Sequence, residues 1–226
     1  KISKENIIEF DSQIEADKLC ITHCDSFIFI ATMNIDEYPS IEEQEYKSHI
    51  TIKQKDFKEL VNKTIFATST EDIRQQLRGC YLEIKQKQIR SVGLDGYRLA
   101  ICNKELEKEH EESGIIVPAK NLSEISKLIE NEEDNIDIYF NEKKLMVEFA
   151  SSKVITSLIG GQYLKYESTI PKNFETEVTV DRASLEYSME KVDVIAKQDK
   201  NNFVKVDIKE GKMTIYCNTS TSNIKE

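Results

Sequence analysis

The residues around Thr51 and those around Thr179 follow one plan, and this repetition constrains the fold more than any other feature of the chain. His49-Ile-Thr-Ile-Lys53 alternates as a strand does, then gives way to a helical pattern with Phe57, Leu60, Val61 and Ile65 on one face. Two strands are predicted next, Cys80–Ile84 and Gln88–Val92, turning through Lys85-Gln86-Lys87. The second copy reads Glu177-Val-Thr-Val180, then a helix whose apolar side carries Leu185, Met189 and Val192. It continues through Val204–Ile208, a Glu210-Gly211 turn and Met213–Tyr216. Thr51 and Thr179 stand in matching places, 128 residues apart.

The stretches between these blocks repeat as well. Ile136–Phe140, Leu145–Phe149, Val154–Thr156 and Leu158–Tyr163 form one series of short strands. Ile7–Phe10, Leu19–Ile21, Phe27–Ile30 and Met33–Tyr38 form another, with Tyr38 and Tyr163 125 residues apart. A second helix is predicted in the whole unit, started by Pro118 and marked by Leu122, Ile125, Leu128 and Ile129. Each unit then holds two helices and roughly eight strands, an α+β arrangement with helices on one face of antiparallel sheets. The predicted division is residues 1–47 as the C-terminal half of a first unit, 48–172 as a complete second, and 173–226 as the N-terminal part of a third. Half a unit leaves an apolar sheet face open, so the chain is expected to be cut from a longer protein with at least three units.

Composition bears on function mainly by exclusion. Hydrophobic residues make up 39% and charged residues 32%, too apolar for disorder, and no run is long enough to span a bilayer as a helix. The net charge of −10 argues against nucleic acid only on average, since the acids gather in connecting runs such as Glu105–Glu112 and Glu130–Asp134. Five cysteines at irregular spacing are expected to be free thiols. Cys20-Ile-Thr-His23-Cys24 puts His23 on the opposite strand face from the two thiols and has no second ligand pair, so no metal is expected. Gly160-Gly161 is expected to form a tight bend and not a phosphate loop. His23, His49 and His110 have no neighbouring nucleophile motif, and neither catalysis nor a cofactor is expected.

Thr70–Gly79 followed by Val92-Gly-Leu-Asp-Gly-Tyr-Arg-Leu-Ala100 resembles the second domain of the DNA polymerase III beta subunit, the bacterial sliding clamp. Ile115–Lys120, Leu158–Tyr163, Tyr166 and Ile170-Pro171-Lys172 follow in family order, so the resemblance covers most of residues 50–220. It implies a DNA-clamp fold with three repeated domains per protomer and, in the full-length protein, a head-to-tail homodimer ring around duplex DNA. The implied role is a non-catalytic, cytoplasmic processivity factor whose partners are double-stranded DNA, the DNA polymerase III alpha subunit, the clamp loader and other clamp-motif proteins. A protein-interaction module without ring closure is the alternative.

Such a tether holds DNA through phosphates and not base edges, which suits lysines on helices. The first helix carries Lys53, Lys55, Lys58 and Lys63 against Asp56 and Glu59. DNA-facing residues implied by the resemblance are Lys55, Lys58, Lys63, Lys120, Lys127, Arg182, Lys191 and Lys197. The family's peptide-binding pocket maps onto Arg74, Leu77, Gly79, Leu94, Gly96, Arg98, Leu99, Leu164 and Thr169, an apolar lining with a few polar groups. Four positions depart from the family pattern: Leu94 stands where Thr is common, Tyr97 where His is, Leu164 where Pro is, and Thr169 replaces an apolar residue. The remaining pocket wall is expected from a segment beyond Glu226.

Overall fold

Alternating isoleucines at Ile50, Ile52, Ile136 and Ile138 build the seam on which the central part of the molecule folds. The computed structural model describes residues 7–13, 17–34, 45–70, 74–130, 133–197, 203–218 and 223–225. The chain divides into two compact units, Lys1–Leu164 and Lys165–Glu226.

In the first unit, β1 (Glu9–Asp11), β2 (Lys18–His23) and β3 (Ser26–Ala31) form a three-stranded antiparallel sheet in sequence order. A second sheet has the order β4-β7-β8-β9, from β4 (Ser48–Lys53), β7 (Asn135–Phe140), β8 (Lys144–Phe149) and β9 (Ser152–Ser157). Ile50 faces Ile138 and Ile52 faces Ile136 across β4 and β7, and all four side chains are buried. β5 (Gly79–Leu94) and β6 (Leu99–Pro118) form a long two-stranded ladder. α1 (Gln54–Asn62) buries Phe57, Leu60 and Val61. α2 (Ala119–Leu128) starts directly after Pro118 and buries Leu122 and Ile125. One core joins the helices to both sheets, from Phe57 and Leu122 to Leu82, Ile89, Ile138 and Val147. Full burial of each such side chain contributes about 1.5–3 kcal/mol.

The second unit has α3 (Arg182–Ala196), β10 (Lys205–Lys209), β11 (Lys212–Asn218) and β12 (Asn223–Lys225), the strands pairing in that order. Asp181 caps α3 by accepting from the Ser184 N–H at 2.8 Å. Its core is small: Val192, Ala196, Ile215 and Cys217.

The repeat is visible in backbone detail. Thr32 N–H donates to the Asp17 carbonyl and Leu158 N–H to the Lys143 carbonyl, both at 2.8 Å and 126 residues apart at each end. Lys18 faces Ala31 as Lys144 faces Ser157, and Cys24 and Ala150 take the same left-handed turn (φ 52° and 48°). α1 and α3 begin at Gln54 and Arg182, 128 residues apart.

Several expectations are corrected. Lys85-Gln86-Lys87 is not a hairpin turn but continues β5, with Gln86 at φ 54°; the register shifts here because β6 carries four extra residues, Ile84–Gln88 being set against Glu105–Ser113. β5 runs through both strands predicted at Cys80–Ile84 and Gln88–Val92, so the described residues of 48–172 hold six strands where roughly eight were expected. Glu177–Val180 forms no strand, since no neighbour supplies a ladder among the described residues. α1 stops at Asn62, and Ile65–Ala67 tightens into a 3-10 turn. Leu128 lies off the apolar stripe and is exposed, while Ser126 takes a buried place and donates to Asn62. Met189 is also exposed, and α3 buries Ala196 instead. Gly160-Gly161 forms the expected bend, with Gly161 at φ 101°. The predicted strand at Met33–Tyr38 falls partly at residues 35–38, outside the described residues, and residues 33–34 form no strand.

Candidate functional site

The tightest part of the candidate pocket is the turn between β5 and β6. Leu94 faces Leu99 at its base, and Asp95 accepts from the Tyr97 N–H (2.9 Å), the Arg98 N–H (3.0 Å) and the Arg98 Nε (2.8 Å). Burial pushes the Asp95 carboxyl up, but these hydrogen bonds outweigh it and hold it below the usual range. Gly96 supplies φ 91°, which a side chain would strain. The Arg98 guanidinium sits 5.6 Å above the Phe66 ring, tying this turn to the Ile65–Ala67 turn. A Cβ on Gly93 would lie 2.1 Å from the Thr64 carbonyl oxygen, so the two segments touch backbone to backbone. Beneath them, the Thr64 hydroxyl bonds the Leu60 carbonyl and the Ser91 hydroxyl, both at 2.7 Å. Burial lifts the neighbouring Cys80 thiol to about 11, so it stays protonated and inert.

A second group of pocket residues precedes β5. Gln75–Arg78 is a 3-10 turn in which the Leu77 N–H donates to the Arg74 carbonyl, while the Leu77 carbonyl accepts from Ser69. Leu77 and Leu94 are core residues, Leu99 is half-buried, and Arg74, Gly96, Arg98 and Leu164 face solvent. Gly79 pairs with Pro118 at the start of the β5–β6 ladder. Thr169 belongs to the second unit, where its hydroxyl donates to the Tyr166 carbonyl at 2.6 Å. Phe66 and Tyr97, both exposed, flank Arg98 in space and in sequence respectively, and sequence reasoning missed Phe66. Its signal was an aromatic one residue past the apolar stripe of α1.

The expected DNA-facing cations fall into two classes. Lys63 pairs with Glu59, Lys127 with Glu124 at 2.9 Å, and Lys197 with Asp193, each on its own helix or just past its end. Lys58 donates to the Ile129 carbonyl at 3.4 Å, and Lys191 lies 4.4 Å above the Tyr187 ring. Lys55, Lys120 and Arg182 are exposed and make no ion pair among the described residues. Lys104 on β6 was not foreseen. It meets Asp56 at 2.8 Å and Glu59 at 2.5 Å, so that Glu59 bridges Lys104 and Lys63. Hydrogen bonds from Lys104 and Lys63 hold the Glu59 carboxyl at about 2. Bonds to the same two acids push the Lys104 ammonium up. α1 and α2 lie side by side, linked by Ser126 to Asn62 at 3.3 Å.

On the outer side of β4 and β7, His49 and Thr51 both reach Asp137, at 2.9 and 2.6 Å, and His49 stacks on Tyr139. This is cross-strand pairing with no nucleophile placed for attack. No group of three metal-ligating side chains converges among the described residues.

Residues 51–165 match the family model for the DNA polymerase III beta subunit, central domain. The chain is 26% identical over 208 residues to the beta sliding clamp of Streptococcus pneumoniae, covering 92% of this chain and 55% of that protein. It therefore spans about half the length of the curated relatives it matches. A crystal structure of the DNA polymerase III beta chain from the same organism superposes with a TM-score of 0.87 at 25% identity, over 97% of this chain and 58% of that one. The DNA polymerase sliding clamp of Bacillus subtilis gives 0.89 at 24% identity over 97% and 58%, a likeness of fold.

Proposed function

Because this chain belongs to the DNA polymerase III beta subunit family, we propose that it acts in a DNA sliding clamp, a non-catalytic ring that holds polymerase on duplex DNA. What carries the reading is the family match over residues 51–165, the stretch that contains both helices and the Asp95–Arg98 turn. Its partners are duplex DNA, the replicative polymerase, the clamp loader and other proteins bearing the same linear motif, in the cytoplasm. The proposed domain division is 1–47, 48–172 and 173–226, with only the middle domain whole. The relatives are named sliding clamps, and none favours an interaction module that lacks ring closure.

On this reading the helices face DNA, and Lys55, Lys120 and Arg182 supply most of the attraction. Lys63, Lys127 and Lys197 are already paired and contribute less. Contacts to phosphate alone leave the ring free to slide. The partner peptide sits beside Leu99, Arg98 and Phe66, its apolar anchor on the leucine and ring, with Arg98 available to an acidic group. In a full-length version, retention on circular but not linear DNA is expected; equal retention on both overturns the clamp reading. For the pocket, Leu99→Ala should weaken binding of a Leu/Phe-bearing clamp-motif peptide roughly tenfold by fluorescence anisotropy. Unchanged binding in Leu99→Ala and in Phe66→Ala would show that the pocket lies elsewhere.

A further inference from the structure

β6 carries one charge at a place where its alternation calls for an apolar residue. Cys102 and Leu106 lie on the face of β6 that packs into the core, buried in one cluster with Phe57 and Leu60. Lys104 stands between them in the same row, opposite the fully buried Ile89 of β5. A charge at such a place is costly unless it is paired. Lys104 meets that cost by reaching the surface at α1, where its ammonium lies 2.8 Å from Asp56 and 2.5 Å from Glu59. Its side chain is 21% exposed, and those of the two acids about a third.

The acids that receive Lys104 sit among the lysines of α1. Phe57, Leu60 and Val61 set the buried side of the helix. Lys55, Glu59 and Lys63 follow one another at helical spacing along the opposite side. Glu59 therefore stands between two lysines of one stripe, and it bonds Lys63. An acid in that position, with no other partner, ties its neighbouring lysines down. Lys104 compensates it from the sheet side instead. The bond from Lys104, ahead of the bond from Lys63, holds the Glu59 carboxyl at about 2, so the strand lysine is its stronger partner.

We propose that Lys104 is a positioning residue for DNA: it engages Asp56 and Glu59 from β6, so that Lys55 and Lys63 are left to attract phosphate. The inference rests on the reading above in which α1 faces the duplex. Lys104 does not itself reach DNA, because its ammonium is taken up by the two carboxylates. It acts through them. With its charge gone, both acids oppose the lysines of their own helix, and the stripe that faces phosphate loses much of its positive field.

Lys104→Met removes the charge and keeps an unbranched stem in the core row, so the fold is retained. In fluorescence anisotropy with a short labelled duplex at about 50 mM salt, this variant should bind roughly fivefold more weakly than wild type. The slope of log affinity against log salt should become shallower by about one, the share of one lost phosphate contact. The acids supply the rescue. In an Asp56→Asn/Glu59→Gln background, Lys104→Met should change affinity less than about twofold, because no carboxylate is left for Lys104 to hold. A lowered melting temperature with unchanged affinity and salt slope would mean that Lys104 only braces the helix, and overturns the proposal. Equal losses in both backgrounds would mean that Lys104 touches phosphate directly, and overturn it too. Lys55→Ala/Lys120→Ala separates this idea from the reading beneath it. Weaker binding in that pair, with none in Lys104→Met, removes only the role of Lys104. Unchanged binding in both removes the DNA-facing assignment as well.

Discussion

The stretch from β4 to β9 and the segments that flank it carry the same alternating pattern and meet opposite fates. Ile136 and Ile138 vanish into a core, while Ile8 and Phe10, at the matching places, are more than half exposed. Periodicity therefore determines which face of a strand is apolar, but burial also needs the neighbour that covers it. The helices teach the same lesson from the other side. α1 has no side-chain cap, yet it buries Gln54, Phe57, Leu60 and Val61. α3 is longer and capped by Asp181, but it buries only Val192 and Ala196. Where packing is rich, end effects matter little; where it is poor, they matter more.

That contrast can be broken most directly at Phe57. Phe57→Ala should cost about 3–5 kcal/mol in urea unfolding followed by circular dichroism, and Leu185→Ala, its half-buried counterpart, under about 2 kcal/mol. Equal losses would mean that the two helices are equally packed after all. Gly93→Ala should destabilise the central domain by about 1–3 kcal/mol, because the Thr64 carbonyl leaves no room for a methyl group. Asp181→Ala should lower helicity in the second unit, whereas Lys53→Ala at the matching place on α1 should leave helicity unchanged. A smaller effect is expected from acid. Glu59 is held at about 2 against 4.5, so its ion pairs add stability that is complete above about pH 4.5 and is lost as pH falls towards 2. Melting temperatures of Glu59→Gln and wild type should differ at pH 6 and converge near pH 2. The smallest effect belongs to Phe10→Ala, whose ring is exposed, at under about 0.5 kcal/mol.

Much of this was legible in the sequence. The repeat, the three helices and the Asp95–Arg98 turn depend on local chemistry: periodicity, a proline start, and an Asp-Gly pair that favours a turn. Errors arose where a distant neighbour decides. Lys85-Gln86-Lys87 has the polarity of a turn, but β5 runs on through it because β6 lies alongside and takes up the register shift with extra residues of its own. Glu177–Val180 has the pattern of a strand without a ladder to join. The candidate site divides likewise. Gly96 and Arg98 were found by motif, while Phe66 and Lys104 enter only because segments far apart in sequence meet.

The β4–β7 seam also has a consequence in time. Ile50 must wait for Ile138, 88 residues later, before its ladder can form. At about 5–20 residues per second of synthesis, that leaves β4 open for roughly 4–18 s on the ribosome. Through that interval α1 can form, but the strand it follows has no place to go. The order of birth thus makes the central domain a late and all-at-once event, closed by its third-to-last strand and not begun by its first.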